Sequence, residues 1–149
     1  MSAHDGDEVL AAARVHTVRE HMRLEIEGDW DAVLATFEHP RYELLGSGAV
    51  FDGEAAVRRY FAASRTPFPD QGNEIIAIAA DGDTVLVEFW LTGTHLGPLR
   101  AKGRTIEATG RRFRVHMAAG FEFAPGSDRI VCERPYFDTG AVLRALELD

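Results

Sequence analysis

The sequence predicts an α+β fold with its helices ahead of its strands, and three observations carry the prediction. Before about residue 70, apolar residues recur at spacings of three and four, as on one face of a helix. Beyond it they fall in short or alternating runs, as in strands. Turn-forming strings separate those runs at Asp81-Gly82-Asp83 and Pro125-Gly126-Ser127-Asp128.

Val15, Val18, Met22 and Ile26 predict a long helix over roughly residues 7 to 27, stopped by Gly28. Asp29 can cap a second short helix with Val33, Leu34 and Phe37 inward, ended at His39-Pro40, because the residue before proline disfavours helical geometry. An extended piece at Tyr42 to Leu45 follows. Asp52-Gly53 then opens a third helix with Ala56, Val57, Tyr60 and Phe61 facing in. After the turn-rich 66–72 segment, strands are expected near 73–80, 84–96, 106–124 and 129–137, pairing as an antiparallel meander. A last amphipathic turn or two buries Val142, Leu143 and Leu146.

Length and composition bound the function. At 149 residues, with 46% hydrophobic and 27% charged residues, the chain reads as one globular domain over 1–149. A formal charge of −8 opposes nucleic acid and anionic membrane as partners. No apolar run reaches the roughly 18 residues of a spanning helix. The lone Cys132 excludes an intramolecular disulfide, and polar, acidic Met1 to Glu8 does not read as a signal peptide. The expected location is the cytoplasm.

Metal and cofactor patterns are not apparent. His16 and His21 lie five apart, roughly 140° round a helix, and there is no Cys pair and no His-Glu-x-x-His string. The glycines form no phosphate-binding string after a strand. Catalysis would need no cofactor and no metal.

Several strings, in their order, are similar to those of the SnoaL-like polyketide cyclase group within the nuclear transport factor 2-like superfamily. They are Glu27-Gly28-Asp29-Trp30, Phe51-Asp52-Gly53 with Ala56-Val57, Thr92 through Gly97, Thr109-Gly110-Arg111, and Ile130 through Asp138. The resemblance implies a cone-shaped, curved antiparallel sheet wrapped around the N-terminal helices, a cavity for a small organic molecule, and a homodimer through the outer sheet face. It implies cyclisation, isomerisation, dehydration or epoxide opening, or ligand binding alone. Fold does not choose among them.

The resemblance also makes Asp138 the acid/base candidate, because a cyclase aspartate at the end of the last long strand matches that position. A carboxyl in an apolar pocket is raised towards neutrality; the other reading is a cap on the terminal helix. His95 shares strand parity with Val85, Val87, Phe89 and Leu91, so it points inward, either to polarise a carbonyl or as a satisfied core histidine. Arg134 and Tyr136 share parity with Asp138 unless a bulge intervenes, and so become substrate-binding candidates. A surface ion pair with Glu133 is the other reading for Arg134.

Trp90 and Tyr60 are candidates for aromatic lining, and His21, beside Met22 on the long helix, can reach the pocket. His116, out of phase with Val115 and Met117, is placed on the opposite face. The stretch that carries the base in ketosteroid isomerases of this fold reads Leu44-Leu45 here, which argues against that reaction. Arg100, Lys102, Arg104, Arg111, Arg112 and Arg114 form a local basic cluster, read as a solvated hairpin or as an anion-recognising rim.

Two functions follow. One is a cofactor-free acid/base enzyme cyclising, isomerising or hydrating an oxygenated substrate, with Asp138 and His95 catalytic. The other is a non-catalytic ligand-binding or dimerisation module.

Overall fold

The computed structural model describes residues 2–148. Helix α1 runs Ala3–Glu27, α2 Trp30–Ala35 and α3 Glu54–Arg65, with the short strands β1 (Arg41–Glu43) and β2 (Val50–Asp52) between α2 and α3. Strands β3 (Gly72–Asp81), β4 (Thr84–Thr94), β5 (Leu99–Ala101), β6 (Arg104–Ile106), β7 (Arg112–Phe123) and β8 (Ile130–Tyr136) follow, and α4 (Thr139–Ala145) comes last.

Helix α1 starts earlier than its apolar spacing implies, because Ser2 and Asp5 form a reciprocal capping box. It stops at Gly28, whose φ of 71° is the left-handed geometry that a Cβ disfavours. Asp29 accepts a hydrogen bond from the Ala32 amide and caps α2, as its position predicts. On α1 the buried residues are Arg14, Val18, His21 and Met22, whereas Ile26 is half exposed. The inward stripe therefore mixes charge with apolar residues.

The main sheet has the order β2-β1-β8-β7-β4-β3. Strands β3, β4, β7 and β8 pair antiparallel in sequence, as expected of a meander. The expectation of a wholly antiparallel sheet is corrected at β1, which runs parallel to β8 with Tyr42 opposite Glu133. Among the described residues the sheet is open, with β2 and β3 at its edges rather than joined as a barrel. The expected strand over 106–124 divides. Gly110, at φ 72°, breaks it, and β5 and β6 form a separate hairpin across a Lys102-Gly103 turn in which both residues have positive φ.

Two bulges bend the sheet. One leaves Ile76 unpaired on β3 and the other leaves Val131 unpaired on β8. The core fills the concave side, where Val18, Phe37, Tyr42, Phe61, Phe121, Phe123 and Ile130 are buried.

Arg14 holds α1 against this sheet. Only 2% exposed, it donates to the carbonyls of Gly82, Ala124 and Ser127 and to Asp83 at 2.8 to 3.0 Å. It thereby ties the helix to the β3–β4 and β7–β8 turns and fixes its rotation. Replacing Arg14 by Met keeps much of the apolar stem but strands three carbonyls. A loss of about 3 kcal/mol is expected, read as a lower urea midpoint at unchanged slope.

Candidate functional site

A cavity of about 340 Å3 lies between the concave face of the sheet, α1, α3 and α4. Its wall is mainly aromatic and aliphatic, including Phe51, Phe68, Phe89, Leu91, Phe121 and Val142. Two carboxylates, Glu25 and Glu133, interrupt that wall. Such a surface, apolar with a few convergent polar groups, is what small-molecule sites usually present.

The carboxylates converge because of helix periodicity and strand register. Glu25 follows His21 by one helical turn, and His21 lies two turns beyond Arg14, so the three share a face. Glu133 sits on β8 between Tyr42 of β1 and Phe121 of β7, its direct neighbours across the ladder. His21 Nε2 meets Glu25 Oε1 and Glu133 Oε1, each at 2.7 Å, and the Tyr42 hydroxyl at 3.2 Å. His21 Nδ1 lies 2.8 Å from Thr36 Oγ1. The Thr36 hydroxyl donates to the Val33 carbonyl, so Nδ1 donates to Thr36 and Nε2 is left to the carboxylates. Phe37 and Phe121 pack edge-on against the imidazole at 5.3 and 5.4 Å.

The three groups titrate against one another. Burial works to lower the His21 pKa, but the charges and hydrogen bonds of Glu25 and Glu133 prevail and push it up to about 10. Glu133 rises to about 6, first through burial and then through repulsion by Glu25. Burial would also raise Glu25, but His21 and Arg65 outweigh it and hold that carboxyl below its ordinary value. Arg65 reaches Glu25 Oε2 at 3.4 Å and lies over the Trp30 ring at 5.0 Å. Near neutral pH the site thus holds a cationic imidazole, one firmly ionised carboxylate and one carboxyl poised to exchange a proton.

One imidazole nitrogen and two carboxylate oxygens within 4.8 Å of one another also make a donor set able to hold a divalent cation. Sequence reasoning looked for paired histidines and so passed over this set. At 2.7 Å the proton on Nε2 donates to Glu133 Oε1, and Glu25 Oε1 at the same distance is held by the charge of the imidazolium.

The residues predicted from sequence are dispersed. Tyr60 lines the cavity, its ring 4.9 Å from that of Tyr42, and Tyr136 lies at the mouth, 52% exposed. His21 stands directly behind the two cavity-lining carboxylates. Asp138 caps α4 by accepting from the Ala141 amide at 3.2 Å; its side chain is largely exposed, lies 3.7 Å from Arg144 and is not part of the cavity wall.

His95 is fully buried, with Nδ1 against the Thr109 hydroxyl and amide at 2.9 and 3.3 Å, and it also lies outside that wall. Its Nε2 is the one buried side-chain nitrogen or oxygen without a partner among the described residues. Arg134 points to the other face of the sheet, where it binds Glu43 and Glu122 rather than Glu133. Trp90 stacks on His116 at 4.9 Å beneath Arg114 and is not in the cavity wall.

Helices preceding a curved sheet that cups a lined cavity define the nuclear transport factor 2-like class. Within it, the sequence matches the family model of the SnoaL-like domain over residues 18–132, and the chain belongs to that family. Solved structures agree. A protein from Jannaschia sp. CCS1, provisionally assigned as a SnoaL-like polyketide cyclase, superposes with a TM-score of 0.78 at 22% identity, covering 94% of this chain and 95% of that one. IdmH of Streptomyces antibioticus, provisionally a polyketide cyclase, gives 0.72 at 22% identity over 90% and 98%. SalBIII, an epoxide hydrolase/cyclase-like enzyme with a role in pyran ring formation in the polyether salinomycin, gives 0.68 at 25% identity over 86% and 92%. No curated protein matches this sequence. No helix of the described residues is long and apolar enough to cross a membrane.

Because the folded pKa of His21 is raised, its contribution to stability is complete below the unfolded value of 6.5 and is lost as pH rises through about 10. The His21 ring should keep imidazolium carbon shifts at pH 8 by nuclear magnetic resonance, and the melting temperature should fall between pH 7 and 9. A neutral His21 ring at pH 8 contradicts the arrangement.

Proposed function

We propose that the chain is a cofactor-free acid/base enzyme that moves a proton on a small oxygenated organic molecule, in a cyclisation, isomerisation or hydration, with Glu133 as the catalytic group. The observation that carries this reading is the buried Glu133 carboxyl in the wall of an apolar cavity, 2.7 Å from His21 Nε2, where burial and Glu25 push its pKa up to about 6. Above pH 6, Glu133 can accept a proton from carbon beside a carbonyl, or from a hydroxyl or water nucleophile, and can return it to the product. Tyr60, whose pKa burial holds above the ordinary value, stays protonated and can donate to the substrate oxygen as charge develops there. His21, cationic behind the wall, acts as a positioning residue that keeps Glu133 oriented and shields it from Glu25.

This reading moves the acid/base role from Asp138 and His95 to Glu133, with His21 as its positioning residue. Asp138 is solvated, engaged as a helix cap and outside the cavity wall, so it has no approach to a molecule bound there. The SalBIII resemblance supports ring-forming or epoxide-opening chemistry as the reaction class.

Two further expectations belong to this reading. A homodimer through the sheet is supported by exposed Ile76 and Leu86, the latter beside a shallow groove lined by Ala77, Ala79 and Ala118. Residence in the cytoplasm is supported by Cys132, buried and with its thiol pushed up to about 11, a form suited to a reducing compartment.

Hydrogen–deuterium exchange beside the carbonyl of 1-indanone and 1-tetralone, followed by nuclear magnetic resonance, tests the proton chemistry. The protein should accelerate exchange, with a rate that rises through about pH 6. Glu133→Gln should lower it by about 100-fold or more, and Asp138→Asn should not. Loss in Asp138→Asn with retention in Glu133→Gln would return the role to Asp138. Exchange should also survive exhaustive dialysis against a chelator; loss that added zinc or manganese restores would show that the His21 cluster works through a metal.

A further inference from the structure

The cavity mouth carries charge that the chemistry inside does not use. Leu99 and Arg100 of β5 belong to the cavity wall, and the hairpin continues through the Lys102-Gly103 turn to Arg104. Arg100, Lys102 and Arg104 are all exposed. Elsewhere the arginines of this acidic chain mostly find carboxylates, as Arg14, Arg23, Arg41, Arg58, Arg65, Arg114 and Arg134 do. By contrast, the three hairpin cations lie within five residues of one another, and no carboxylate is within 4 Å of any of them among the described residues. On a chain of formal charge −8 this is a local reversal of sign.

The interior has the opposite character. Its two carboxylates are already answered by His21 and Arg65, and its remaining wall is mostly apolar. An anion driven inside would lose its hydration beside Glu25 and Glu133 without gaining a free cation. A neutral body can enter while an anionic tail remains at the mouth, where exposed cations attract it at low desolvation cost.

The hairpin is held in place for such a role. The feet of the 96–110 segment are joined by the His95–Arg111 and Gly110–His95 backbone hydrogen bonds and by Thr109 on His95 Nδ1. The Leu96 and Gly97 amides both donate to the Pro67 carbonyl. A Cβ on Gly97 would lie 2.1 Å from the Thr66 carbonyl oxygen, so this close approach requires glycine. The cations are therefore carried on a fixed rim rather than on a free loop.

We infer that the ligand of this cavity is an amphiphile, an uncharged oxygenated body seated inside with a single anionic tail, phosphate, sulfonate or carboxylate, held at the mouth by Arg100 of the wall, while Lys102 and Arg104 of the same hairpin add to the local positive field. The inference rests on the cavity being a ligand site but not on proton transfer by Glu133, and it is tested by binding alone.

The probes are 8-anilinonaphthalene-1-sulfonate and N-phenyl-1-naphthylamine, the same ring system with and without an anionic group, followed by fluorescence enhancement. At low salt the sulfonate should bind about tenfold more tightly than the neutral probe, and the preference should shrink as salt is added. The triple variant Arg100→Glu, Lys102→Glu, Arg104→Glu, its fold checked by circular dichroism, should bring the affinity ratio to one or below.

Ala63→Trp, a substitution at an exposed helical position that also lines the cavity, should weaken both probes. Equal affinities in the parent protein, a ratio that survives the charge reversal, or sulfonate binding indifferent to Ala63→Trp would each overturn the inference. A carboxylate pair, decanoate against decanol as competitors, distinguishes a general anion preference from one specific to the sulfonate.

Discussion

The constraint on which the site depends is the burial of His21 between two carboxylates. An imidazolium and two carboxyl groups out of water carry a desolvation cost that only close mutual contact offsets. The protein must therefore hold α1, β1 and β8 in fixed relation, because a displacement of about an ångström at any of them would leave a buried charge without its partner. That requirement gives Arg14 its role two turns earlier on α1. By gripping three turn carbonyls it sets the helix rotation that points His21 and Glu25 at β8.

The second determinant is the bulge at Val131. With Ile130 opposite Phe123 and Cys132 opposite Glu122, the extra residue reverses the alternation along β8. Glu133 thereby faces the concave side with Phe121, and Arg134 faces out to Glu43 and Glu122. Without the bulge Arg134 would share the inward face and Glu133 would be solvated, with no reason for a raised pKa. One unpaired residue thus decides which charge becomes chemically useful.

Much of the fold was legible because it follows from local signals. Gly28, Asp29 and the hairpin strings act within a few residues of themselves, so the element order and most boundaries could be read directly. The parallel pairing of β1 with β8 could not, since three-residue β1 carries little pattern and its partner lies about ninety residues away. The site divides in the same way. His21 and Tyr60 were identified from helical facing, and the pairing of His21 with Glu25 was available from their four-residue spacing, had carboxylates been weighed beside histidines. Glu133 was hidden because its direction depends on a bulge, and a bulge is set by tertiary packing rather than by alternation. Asp138 followed from family position, and its capping geometry was readable from the glycine and apolar residues that come after it.

The arrangement also explains how a strongly acidic protein can offer acid/base chemistry on a neutral molecule. If Glu25 and Glu133 stood alone, their repulsion would drive one of them to a permanently protonated state, useful as an acid and useless as a base. A lone carboxyl next to His21 would be held low and firmly ionised, as Glu25 is. With the imidazolium between them, Glu25 takes most of the stabilisation, helped by Arg65, and Glu133 is left near pH 6, where both protonation states are accessible. The poise of Glu133 is thus a property of the trio rather than of its own surroundings. It follows that Arg65, which lies beyond direct contact with Glu133, helps to set it by drawing Glu25 to its own side.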